Sequence, residues 1–244
     1  MNQYQWIAGT IAVESVLRAD SREVREILVR QDRFDSAGAR IQNLAKAKGI
    51  SLARVPGETV GEFVPGEDAP PVIAHVGPKR MVTAAELLAG ERPVIVLLDG
   101  VEDPFNFGQA VRSMFAAGID GVIVRPRNWL SAASTVIRAS AGATEFMPMA
   151  VAETTDAMAE ARESGLPVVV ATTVNAKPMH RVALAGPLLL VIGGEKRGVS
   201  RLVLQAADVR VKIPYGRDFH HSLGTAGAAA VLAFEVMRQR LLRD

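Results

Sequence analysis

The chain has 244 residues, 49% hydrophobic and 22% charged, which suits a folded globular protein of one large or two modest domains and excludes a disordered chain. Its 28 basic and 26 acidic residues leave a formal net charge of +2, a balance that does not by itself announce a nucleic-acid binder. Cysteine is absent, which excludes disulfides, thiolate nucleophiles and zinc–thiolate sites, and of the four histidines only His220 and His221 are adjacent, a poor basis for a metal cluster.

In chain order, Ile11, Val13, Val16 and Leu17 fit the apolar face of a first helix, and residues 26–29 read as a short strand. Arginines crowd this stretch at Arg18, Arg22, Arg25, Arg30 and Arg33, and recur at Arg125, Arg127 and Arg138. They suit a nucleic-acid-facing surface or simply a solvated one. Residues 40–48 form an amphipathic helix, with Gly49 where a left-handed C-terminal residue is wanted. Residues 51–55 and 72–76 read as strands, and the Pro/Gly-rich stretch from Pro56 onward as loop. Thr83 and Glu86 have the spacing of a capping box at the head of a short helix. The domain boundary is expected near residues 77–92, giving domains 1–78 and 93–244 with a linker at 79–92.

The second block alternates. Strands are predicted at 94–98, 121–124, 145–149, 168–171, 188–192 and 209–213, and helices at 107–117, 131–140, 155–163, 199–206 and 223–242. Unbroken apolar strands alternating with helices imply an α/β fold with a mostly parallel sheet covered on both faces. The last helix is small and apolar nearly all round at Gly227-Ala228-Ala229-Ala230-Val231, so it belongs against a closely packed helix, in the core or at a subunit contact. No apolar run reaches the ~18 residues of a membrane span, and the first residues do not form a basic-then-apolar leader. The chain reads as cytoplasmic, with no membrane partner.

Three strand ends carry polar, glycine-bearing turns, where backbone N–H groups are free and the chain can approach a ligand closely. They are Asp99-Gly100-Val101-Glu102-Asp103-Pro104-Phe105-Asn106-Phe107-Gly108, Gly193-Gly194-Glu195-Lys196-Arg197-Gly198, and the stretch from Ile213-Pro214 to Ser222-Leu223-Gly224. No Gly-x-Gly-x-x-Gly follows a predicted strand, which argues against a dinucleotide site. The second turn lacks the Gly-Lys-Ser/Thr ending of a nucleotide-hydrolysing phosphate loop.

These segments resemble the three motifs of the SpoU/TrmH branch of the SPOUT RNA methyltransferases. The first, with Arg112 following, is similar to that family's Asp-Pro-x-Asn-x-Gly-x-x-x-Arg, the second to Gly-x-Glu-x-x-Gly, and the third to a Ser-Leu pair opening a long helix that reaches Phe234-Glu235. The match covers roughly residues 93–240. The front block is similar to the family's substrate-binding domain, a small ribosomal-protein-like α/β unit, through Ala8-Gly9 and the helix end at Ala45-Lys46-Ala47-Lys48-Gly49-Ile50.

The resemblance implies methyl transfer from S-adenosylmethionine to a ribose 2′-hydroxyl, in ribosomal RNA by preference, no metal, a homodimer, and a C-terminal domain tied in a deep trefoil knot. It assigns Gly193, Ile213 and Leu223 to the donor, with Thr172 or Thr173 on the same pocket. Asn106, Arg112, Glu195 and Ser222 are assigned to catalysis. Each also has a plainer reading: core packing for Ile213 and Leu223, a surface ion pair for Arg112, and a helix N-cap for Ser222. A guanidinium holds its proton too firmly to serve as a base, so Arg112 is expected to grip phosphate and stabilise developing charge.

One departure is clear. Family members commonly read Ser-Leu-Asn-x-Ser in the third motif, and this chain has Ser222-Leu223-Gly224-Thr225-Ala226. His221 or Thr225 could substitute for the asparagine. Alternatives therefore stand beside the ribosomal enzyme: a transfer RNA 2′-O-methyltransferase, a non-catalytic RNA-binding or ribosome-assembly protein that keeps the fold, and a small-molecule-binding α/β protein.

Overall fold

The computed structural model describes residues 4–64, 69–126, 132–194 and 198–242. In chain order the front elements are β1 (Gln5–Ala8), α1 (Thr10–Ala19), β2 (Val24–Arg30), α2 (Ser36–Ala47), β3 (Ser51–Val55), α3 (Gly57–Phe63) and β4 (Val72–Val76). There follow α4 (Ala84–Leu88), β5 (Val94–Asp99), α5 (Pro104–Ala116), β6 (Gly121–Val124), α6 (Ala133–Ala139), α7 (Ala143–Phe146) and β7 (Met149–Val151). The chain continues with α8 (Thr154–Glu163), β8 (Val168–Ala171), β9 (Lys177–Pro178), β10 (Leu188–Gly193), α9 (Arg201–Gln205), β11 (Val209–Lys212) and α10 (Thr225–Leu241).

The chain divides into two compact units, and the division is not one cut: α6 and α7 pack with the front elements although β5 and β6 precede them in sequence. In the front unit a mixed sheet runs in the order β1-β4-β2-β3. Alternation along the strands sends Ile7, Ile27, Val29, Val72, Ala74 and Val76 to one face. There they bury against α1, α2 and the Ala133 and Ile137 side chains of α6. On the opposite face Leu28 and Ile73 pack against Val60 of α3, so the Pro/Gly-rich stretch read as loop contains a helix. Its sequence hid this because Pro56 lies just ahead of the first turn, where proline is tolerated.

The α7 turn is bound to the front unit by a buried charge cluster. The Glu145 side chain is 0% exposed and that of Arg22 7% exposed. Arg22 donates to both Glu145 oxygens, from Nε at 2.9 Å and Nη2 at 3.1 Å, the Ser21 hydroxyl donates to the same carboxylate, and Lys79 Nζ donates to the Glu145 carbonyl at 3.1 Å. Nearby, Gly142 has φ 85°, and a Cβ there would lie 2.0 Å from the Ser15 hydroxyl of α1. This packing corrects the strand expected at 145–149: residues 143–146 are helical, and the strand begins at Met149.

The second unit holds a parallel sheet of seven strands ordered β7-β6-β5-β10-β8-β11-β9. Every residue of β5 is buried, as a central parallel strand covered on both faces requires. Thr83 and Glu86 form the expected capping box on α4. The α10 helix packs on α5 and buries Ala229, Leu232, Ala233 and Val236. Gln239 near its end accepts from Leu184 N–H at 2.8 Å and donates to the Val182 carbonyl at 3.0 Å, fastening the segment ahead of β10. Gly227 and Phe234 lie exposed, so α10 is not covered all round within this chain. Among the described residues, no helix is long and apolar enough to cross a membrane.

Burial pushes the Glu145 carboxyl upward, but Arg22, Ser21 and Lys79 outweigh it and hold it below the ordinary glutamate range. A carboxylate depressed in the folded state contributes stability that is present above the unfolded value and lost as pH falls through the folded one. Glu145→Gln leaves the Arg22 charge buried without its partner. The variant should lose about 3–5 kcal/mol in urea unfolding at neutral pH, and the deficit should shrink as the wild type is acidified. Equal stability of the two proteins at neutral pH would contradict this account.

Candidate functional site

The three glycine turns meet at the carboxyl ends of β5, β10 and β11 in one parallel sheet, the edge where open α/β sheets bind ligands. β5 and β10 pair in parallel with Asp99 opposite Gly193. At that level Gly194 N–H donates to the Asp99 carbonyl at 2.6 Å. A Cβ on Gly194 would lie 2.2 Å from the Gly100 oxygen, and one on Gly193 would lie 2.4 Å from the Gly198 carbonyl carbon. Both obstacles are backbone, so neither can swing aside. The second turn then folds back, with Gly198 N–H donating to the Gly194 carbonyl at 3.0 Å.

The first turn is held from below by Asp99, which is buried. Its Oδ1 accepts from the Thr154 hydroxyl at 2.8 Å, with Arg125 at 3.7 Å. Beyond it, Asp103 caps α5 by accepting from the Asn106 N–H at 2.7 Å, with Pro104 in the first helical turn. The third turn is tied to the second by Thr225, whose hydroxyl donates to the Gly193 carbonyl at 3.2 Å. It is closed on itself by Leu223 N–H donating to Tyr215 Oη at 3.0 Å.

Between the turns lies a cavity of about 350 Å³ whose lining includes Thr172, Gly193, Ile213, Ser222 and Leu223. This volume falls within the range of about 300–1,000 Å³ common for small-molecule sites. All four residues expected at the donor are therefore neighbours, and Ser222, expected in catalysis, joins them. Ser222 does not cap α10: the capping position is Gly224, which offers no side chain. Asn106 and Arg112 are on α5 outside the cavity lining, about 9 Å apart along the helix axis. Arg112 is exposed and forms no ion pair with a described residue. Glu195 lies outside the described residues.

Several contributors escaped the sequence reading. Tyr215 lines the cavity, and Thr154 fixes Asp99 across 55 residues of chain. Thr225, a candidate stand-in for the missing asparagine, has its hydroxyl committed to the Gly193 carbonyl. A wider depression of about 830 Å³ lies at the opposite, amino ends of the strands. There Arg240 is already engaged with Asp120 at 3.3 Å and the Arg92 carbonyl at 2.7 Å, and no motif residue reaches it.

Gly224 differs from Gly193 and Gly194. Its φ is −58° and ψ 157°, and a Cβ there would meet nothing within 4 Å. The backbone does not require glycine at this position.

The chain is similar to known RNA methyltransferases. Residues 93–234 match the model of the SpoU rRNA Methylase family. The chain is 32% identical to the 23S rRNA (guanosine-2′-O-)-methyltransferase RlmB of Xanthomonas campestris pv. campestris, covering 98% of both chains. It superposes on the crystal structure of an RNA 2′-O ribose methyltransferase with a TM-score of 0.78 and 25% identity, over 98% of this chain and 90% of the other. An AdoMet-bound rRNA methyltransferase from Sinorhizobium meliloti shares the fold, with a TM-score of 0.81 at 21% identity over 97% of this chain and 87% of that one.

Gly194→Ala is expected to separate the first and second turns, lowering the melting temperature and abolishing S-adenosylmethionine binding in calorimetry. Gly224→Ala should do neither. Normal donor affinity in the first variant would mean that the close approach of the turns is not what shapes the cavity.

Proposed function

The chain belongs to the SpoU rRNA methylase family, and on that premise we propose that it methylates a guanosine ribose 2′-hydroxyl of ribosomal RNA, using S-adenosylmethionine. The observation that carries this reading is the convergence of Thr172, Gly193, Ile213 and Leu223 on one cavity between three glycine turns. The lining suits the donor. Ile192, Val211, Ile213 and Leu223 supply aliphatic walls for a flat heteroaromatic ring, and Lys212 is the single charged side chain among the described lining residues. Backbone groups at Gly193 and Leu223 would select the adenine edge, and Thr172 would close the pocket beside them.

When bound, the donor supplies a methyl carbon on a sulfonium leaving group. The protein's own task is alignment of the ribose hydroxyl and a route for its proton. Arg112, exposed and without a described ion-pair partner, would grip the phosphate beside the acceptor ribose and stabilise charge developing on the hydroxyl oxygen. The proton then leaves through phosphate or water, because a guanidinium does not act as a base. Asn106, placed by the Asp103 cap, and Ser222, at the cavity, would orient the ribose; Glu195 would brace the neighbouring turns.

Two features of the assembly belong to the same reading. Phe105 on α5 and Phe234 and Leu241 on α10 are exposed apolar side chains on two helices packed together, which supports a homodimer through this helix pair. The insertion of β10 between β5 and β8, with α10 returned to α5, is compatible with the knotted connection that the resemblance implies. The front unit, with α6 and α7 added, would be the part that presents RNA.

A second reading has one observation in its favour. Gly224 replaces the asparagine common in the third motif, so a protein that binds donor and RNA without transfer is the rival. Labelled methyl transfer to total RNA separates the two. Arg112→Ala should reduce transfer by about 100-fold or more while donor affinity stays within about twofold. Gly224→Asn should fold normally, because nothing occupies the space, and should raise transfer. A fall in rate at normal donor affinity would show that this chain does not use the asparagine contact.

A further inference from the structure

The connection from β11 to α10 reads Pro214-Tyr215-Gly216-Arg217-Asp218-Phe219-His220-His221-Ser222-Leu223-Gly224. Aromatic and basic side chains alternate within it, the composition of a surface that receives nucleobases and phosphates together. None of its rings enters a core: Tyr215 is 38% and Phe219 53% exposed. The rings nevertheless touch one another. Tyr215 and Phe219 have centroids 5.9 Å apart, and Phe219 and His221 meet edge to face at 5.5 Å. The three form a small, preassembled apolar ledge in water.

Its position is fixed by one hydrogen bond. Tyr215 Oη accepts from Leu223 N–H, and both residues line the cavity together with Ser222, so the ledge stands at the cavity mouth. Arg217 makes no ion pair with a described carboxylate, whereas His220 has Asp218 at 3.8 Å. Gly224 itself offers no side chain to an acceptor nucleotide.

We propose that Tyr215, Phe219 and His221 form a stacking platform for an unpaired nucleobase at or next to the modified nucleotide, with Arg217 taking a flanking phosphate. The proposal rests on the reading of the chain as an RNA methyltransferase and names how that site selects its substrate: single-stranded or extruded nucleotides, whose faces are free to stack. Tyr215 has a double role, as a wall of the platform and as the tether that keeps the turn at the cavity. Sequence preference at the platform is weak, because every base has a π-face. Identity of the acceptor is left to contacts elsewhere.

The test uses the full chain and a fluorescently labelled single-stranded RNA of about ten nucleotides. Phe219→Ala should weaken its affinity by about tenfold, in line with the loss of one stacked base. Phe219→Leu should behave like alanine, and Phe219→Trp should restore binding. Arg217→Gln should lower the salt dependence of affinity by about one phosphate contact. Melting temperature, donor affinity and sedimentation should be unchanged throughout, because the ring supports no core. RNA affinity equal to wild type in Phe219→Ala would overturn the platform. So would full retention by leucine, which would show that apolar bulk suffices, or a change in oligomeric state, which would assign the rings to a second copy of the chain. If the wild type transferred no methyl to any RNA, the enzymatic reading would fail, while the order of RNA affinities among these variants would still decide the platform.

Discussion

The cavity depends on how closely two backbones approach each other at Gly194. With the Gly100 oxygen where a Cβ would have to be, the first and second turns can come together only if position 194 has no side chain. That contact in turn sets the level at which Thr225 reaches the Gly193 carbonyl and the third turn is drawn in. The site is therefore built mainly from main-chain geometry, and its walls are ordinary aliphatic residues. Such a construction suits recognition of a flat base and a small charged tail through amide groups. It leaves exposed side chains such as Arg112 free to face a polymeric substrate.

A different kind of contact organises the front unit. The Arg22–Glu145 pair and the Gly142–Ser15 contact hold α6 and α7 against α1 by charge and by steric fit. A buried pair of this kind adds little net stability over apolar packing, but it penalises every alternative docking that would leave one charge alone. Its value is in specifying one arrangement.

Much of the second unit was legible because central parallel strands are buried on both faces and therefore spell continuous apolar runs. β6 and β8 fall where those runs predict, and β5 and β10 extend them by a single residue. The strand expected at 145–149 failed for a physical reason: the burial of Glu145 is made possible by Arg22, 123 residues away, and no local pattern carries that information. α3 was hidden by Pro56, Gly57 and Gly61, whose loop-like composition was overridden by packing of Val60 under the sheet. At the cavity, residues at the glycine turns such as Gly193, Ile213 and Leu223 could be picked out as neighbours. Those held by side-chain hydrogen bonds, such as Thr154 on Asp99 and Tyr215 on Leu223, could not.

The discontinuity of the front unit bears on how such proteins can be cut and recombined. A fragment ending near residue 80 would keep the β-sheet and its two main helices but lose the Ala133 and Ile137 side chains from its interior and Glu145, the carboxylate paired with Arg22. It would carry a stranded cation in an apolar setting. Grafting the front portion of this chain onto another protein would leave Arg22 without Glu145 unless the α6 and α7 stretch between β6 and β7 travels with it. For any exchange of the front unit, by evolution or by engineering, the unit of inheritance is two separate stretches of gene.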